Sequence, residues 1–180
     1  MRLHRSVLAS LLICVVLLTG CTSSWVSTAL ADLPVLVSMA ESIIQLLGVV
    51  TNKTTAQEAY AIQHIGDVAK QGLTAIDNLY KSYKSNPDSG TLQKITSACD
   101  ALQVNLQELL TAAQVKDPVL RGRVTAAVAI IVTTVGTFEL LIPKAGMSHK
   151  QVRAAIAASS LPTPTQLKAA WLDQVGLAVK

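Results

Sequence analysis

Residues 55–113 read TAQEAYAIQHIGDVAKQGLTAIDNLYKSYKSNPDSGTLQKITSACDALQVNLQELLTAA, and the spacing of their apolar side chains decides the fold. Ile62, Gly66, Ala69, Leu73, Ile76, Tyr80 and Tyr83 step by four and three, which places them on one seam of a helix, while Asp67, Lys70, Asp77, Lys81 and Lys84 fall on the other face. Thr55-Ala56-Gln57-Glu58 is a capping box: a hydroxyl and a carboxylate three residues apart can satisfy each other's free backbone amides at a helix start. Asn86-Pro87-Asp88-Ser89-Gly90 is a turn, and beyond it Leu92, Ile95, Cys99, Leu102, Leu106, Leu109 and Ala113 repeat the same step. Two seams of matching length across a short turn predict an antiparallel helical hairpin, over about 56–84 and about 90–115.

One-sided seams need apolar partners, and both flanks supply them. Upstream, Asp32 before Leu33-Pro34 resembles an N-cap, and Leu33, Leu36, Val37, Ala40, Ile43, Ile44 and Leu47 predict a helix over about 33–48. Downstream, Asp117-Pro118 opens a segment with no charge from Val124 to Phe138. A helix apolar on every side must be surrounded, so Val124 to Ile142 is expected to be the central core helix, with a membrane span as the alternative. Ser148-His149-Lys150-Gln151 is a second capping box, opening a short helix to about Ser159, and Pro164 starts a last one to about residue 178, with Leu167, Trp171, Leu172, Val175 and Leu177 as its apolar residues. The expected fold is all-α, an antiparallel bundle of about four main helices plus one or two short C-terminal helices, without strands or internal repeats.

The N-terminal residues carry a different signal. Arg2 and Arg5 precede an apolar run from Val7 to Leu18. That run is about 12 residues, or roughly 18 Å of helix, too short for the roughly 30 Å hydrocarbon core but suited to a secretory signal. Leu18-Thr19-Gly20-Cys21 then resembles the lipobox of bacterial lipoproteins. The resemblance, confined to residues 1–21, implies alkylation of Cys21 Sγ by a diacylglyceryl group and cleavage between Gly20 and Cys21. The expected organisation is a signal peptide over 1–20, a lipidated Cys and Ser/Thr/Ala-rich tether over 21–31 and a helical bundle over 32–180. Trp25 is expected either at the lipid interface or against the domain.

Removing the signal takes two of the 15 basic side chains and none of the 11 acidic ones, which leaves 160 residues and a formal charge of +2. With six aromatic residues in the whole chain and no dense basic cluster, nucleic acid is not an expected partner. Of three cysteines, Cys14 leaves with the signal and Cys21 takes lipid, so Cys99 is left alone as a small buried side chain. The remaining histidines, His64 and His149, lie in no metal-ligand spacing, and neither a metal nor another cofactor is expected. Asp67 lies one helical turn from His64, close enough for a solvated surface pair. No nucleophile motif or phosphate loop occurs. Glu139 is the one acid in strongly apolar surroundings, where burial would raise its pKa unless a base such as Lys144 pairs with it.

These readings point to a noncatalytic envelope lipoprotein, held to a membrane through Cys21 and binding or scaffolding a protein partner. The alternatives are a membrane-active protein that inserts the 124–142 helix and an enzyme of the cell envelope. Thr22 follows the lipidated Cys, where retained inner-membrane lipoproteins resemble one another in having Asp. That implies the outer membrane, facing the periplasm, in a Gram-negative source and the plasma membrane otherwise.

Overall fold

The computed structural model describes residues 25–48, 54–142, 154 and 162–176. Among them the chain is all helical: α1 over 25–45, ending in the 3-10 turn Leu46–Gly48, then α2 (Ala56–Ser85), α3 (Ser89–Ala112), α4 (Pro118–Leu140) and α5 (Pro164–Gln174). The capping box at Thr55 and Glu58 forms as the spacing predicts. Asp88, Asp117 and Thr163 cap α3, α4 and α5 by accepting hydrogen bonds from the amides of Thr91, Leu120 and Gln166. Ser148 to Gln151 and all but Ala154 of the expected short helix lie outside the described residues.

All seven expected seam positions of α2 are buried. In α3 the buried set is Ile95, Cys99, Leu102 and Leu106, with Leu92 and Leu109 half-buried. The helices alternate in direction. At one end of the α1–α2 interface Ile44 and the Ala40 carbonyl crowd Gly66, where an added Cβ would meet Ile44 Cγ1 at 2.9 Å, and Glu41 pairs with Lys70 at 2.8 Å. At the other end Trp25 meets Tyr80 and Tyr83, with ring centroids 5.7 and 5.9 Å apart. Tyr80 in turn meets Phe138 of α4 at 6.3 Å. Four of the chain's six aromatic residues therefore join α1, α2 and α4 at one end of the bundle. Helix α5 packs on α4 through Leu167 and Trp171, and Gly176, at φ 72°, ends it in the left-handed conformation that glycine adopts without a Cβ clash. Leu172 is exposed, contrary to its place among the expected apolar contacts.

Three expectations are corrected. Residues 25–31 are not a tether: they are helical, and Trp25, Val26 and Ala29 are buried. Trp25, Ala29, Asp32, Leu36, Met39, Ile43 and Leu46 form a continuous seam by four and three, so Asp32 is not an N-cap but a core position. Pro34 lies inside the helix on its exposed side. Nor is α4 surrounded: Leu120, Val124, Ala127, Val128, Ile131, Thr134, Val135 and Phe138 are buried, but Arg121, Gly122, Thr125, Ala129 and Thr133 face outward. Threonine makes a charge-free outer face possible, because its hydroxyl can bond back along the helix. Thr137 Oγ1 donates to the Thr133 carbonyl at 2.8 Å on the outer side, and Thr134 Oγ1 to the Ile130 carbonyl at 2.8 Å on the inner side.

Ile131 is fully buried in the α4 seam. Ile131→Ala should cost about 2–5 kcal/mol in thermal or denaturant unfolding of a protein beginning at Thr22. A protein beginning at Asp32, which lacks Trp25, Val26 and Ala29, should melt well below that parent. Equal melting temperatures for the two lengths would contradict the placement of residues 25–31 in the core.

Candidate functional site

The end of the bundle away from the aromatic cluster is organised by Glu58. Its Oε2 accepts hydrogen bonds from the Thr55 amide and hydroxyl, each at 2.8 Å, and its Oε1 accepts the Lys116 amide at 2.7 Å. One carboxylate thus closes the start of α2 and fastens it to the α3–α4 connection. The Lys116 amide, then the Thr55 amide and hydroxyl, hold the Glu58 carboxyl down at about 2. A carboxylate so fully engaged is a structural tie rather than a general acid or base.

Two clefts straddle that connection. One, about 440 Å³, opens between the start of α2 and the end of α3 and is lined by Gln57, Tyr60, His64, Leu109, Gln114 and Lys116, among others. The other, about 400 Å³, lies between α3 and α4 and includes Leu110, Val115, Arg121 and Val124. Gln114 and Lys116 line both. Gln114 has φ 43°, in the left-handed region, a position after a helix end where glycine is the unstrained choice. Here the chain keeps a side chain that borders both clefts. Tyr60, 71% exposed, stacks on His64 with centroids 6.1 Å apart and planes 12° apart, presenting a flat aromatic edge to the larger cleft.

The residues singled out in the sequence do not converge on this site. His64 reaches it, but its contact is the Tyr60 ring and no ion pair joins it to Asp67. Cys99 is buried in the α3 seam, and burial, followed by the charges of Glu139 and Asp100, pushes its thiol up to about 12, which makes it inert. Glu139 sits half-buried at the α3–α4 interface and accepts a 3.4 Å hydrogen bond from Gln103 Nε2. Cys21, Lys144 and His149 lie outside the described residues. Among the described residues no three His, Cys, Asp or Glu side chains gather in a way that could hold a metal ion. Tyr60, Gln114 and the reach of Glu58 to Lys116 were not foreseen; the capping box located Glu58, but no local signal marks its second partner.

Against family models, curated proteins and solved structures the chain gives no match.

The site therefore rests on its own geometry, together with one feature of the core. Asp32 is fully buried, neither carboxylate oxygen has a hydrogen-bond partner, and burial pushes its carboxyl up to about 6. Folding then favours the protonated form. Its contribution is fully present below about pH 4 and lost as pH rises through about 6, a difference of order 1–3 kcal/mol with screening included. Glu58 acts in the opposite sense: its contribution is present above about 4.5 and lost as pH falls through about 2. From these two groups, stability measured by chemical denaturation should peak near pH 4–5 and decline on both sides. Asp32→Asn should remove the decline toward pH 7 while matching the parent near pH 3.5, and Glu58→Gln should flatten the acid side. A profile unchanged by Asp32→Asn would contradict the buried carboxyl.

Proposed function

We propose that the chain is an envelope lipoprotein, anchored through Cys21, whose noncatalytic bundle presents the paired clefts around Gln114 to a protein partner. The observation that carries this reading is the lipobox Leu18-Thr19-Gly20-Cys21 set behind a basic start and a short apolar run, in register with one another. A binding rather than a catalytic role is supported by the state of the reactive groups: Glu58 is held by backbone amides, the Cys99 thiol is buried, and the clefts are bordered by amide, aromatic and cationic side chains. The stacked Tyr60 and His64 rings supply flat surface of the kind that anchors protein interfaces.

A second reading is favoured by one observation: 25–48 and Pro118–Leu140 are both long and apolar enough to cross a membrane, with mean hydropathies of 1.6 and 1.5. The two readings separate experimentally. Mass spectrometry of the protein from native membranes should find a diacylated Cys21 as residue one, and a protein beginning at Thr22, which carries neither signal nor lipid, should be released by carbonate from vesicles to which it is added. A retained Met1 would sink the lipoprotein assignment. Retention of the protein beginning at Thr22 through carbonate extraction would favour insertion.

A further inference from the structure

The aromatic end of the bundle is defined by Trp25, by Tyr80 and Tyr83 near the end of α2 and by Phe138 near the end of α4. Cys21 precedes Trp25 by four residues, and four residues, however arranged, span at most about 14 Å. We propose that this end, comprising the start of α1, the Asn86–Asp88 turn and the last turn of α4, lies directly on the bilayer surface. The inference rests on lipidation of Cys21 and deepens it by naming the face that meets the lipid.

The surface there suits that partner. Leu140 stands 66% exposed at the end of α4, a large apolar side chain left mostly open. Lys84 and Lys94 are exposed on either side of the α2–α3 turn, with long stems that lie along an interface and ammonium groups that favour anionic headgroups. The acid of the turn, Asp88, is occupied by α3: it accepts the Thr91 amide at 2.7 Å and the Thr91 hydroxyl at 2.5 Å. Glu139 is likewise engaged, through Gln103. Tyr83 and Glu58 are about 25 helical residues apart, so the paired clefts would stand roughly 38 Å from the lipid, open to the aqueous compartment.

The test uses the full lipidated protein, purified from membranes and reconstituted into phosphatidylethanolamine and phosphatidylglycerol vesicles that carry a headgroup quencher. A fluorophore is attached at Asn86→Cys or at Gln57→Cys; the buried Cys99 thiol leaves the new cysteine as the reactive one. Quenching should be several-fold stronger at position 86 than at 57, and Leu140→Asp, which alters an exposed side chain, should reduce it at 86. Equal quenching at both positions with an acylated Cys21 would overturn the orientation alone. A Cys21 without the acyl mass would overturn the orientation together with the lipidation on which it rests.

Discussion

Tyr80 is the point at which three helices meet: its buried ring is set against Trp25 of α1 and Phe138 of α4 while its own backbone belongs to α2. Edge-on ring contacts of this kind add about 0.5–1.5 kcal/mol each beyond the area they bury. Their position matters more than their size. The contact of Trp25 with α2 fixes the register of α1 along the bundle, with the crowded approach at Gly66 fixing the other end.

That register carries a cost. It places Asp32 in the middle of the α1 seam, where no hydrogen-bond partner meets it, and it buries Trp25 Nε1 and the Tyr80 hydroxyl without partners as well. Buried polar groups left unpaired cost more than the apolar residues that could replace them. The cost is offset by the apolar seam on either side, from Ala29 to Leu46, and it makes the hold of α1 on the bundle sensitive to pH. Toward the other end, Glu58 ties α2 to the α3–α4 connection, and this same tie holds the backbone that exposes Gln114.

The hairpin was legible in the sequence because its evidence is local: spacing by four and three, a capping box and a turn rich in Pro, Asp and Gly lie within one continuous stretch. The start of α1 was not. Ser, Thr and Ala dominate residues 22–31, a composition that reads as tether, and Asp-Leu-Pro imitates a helix start. Extending the seam backwards through Asp32 to Ala29 and Trp25 required accepting an acid in the core, which only tertiary packing can show. The outward face of α4 was hidden for a related reason. Threonine and alanine read as apolar in a charge-free run, yet they sit on an open surface at little cost when hydroxyls bond back to the helix. For the candidate site, Glu58 was visible as a cap, but its partner 58 residues further on and the left-handed backbone at Gln114 are products of the assembled fold.

The central claim is that residues 25–31 belong to the first helix of the bundle and are packed into its core. Native-state hydrogen exchange on the lipid-free protein addresses it without altering a residue. The account predicts that amides of residues 29–31 exchange as slowly as those around Leu73 and Ile131, through unfolding of the whole bundle. Exchange at residues 29–31 within seconds, alongside slow exchange in α2 and α4, would contradict it.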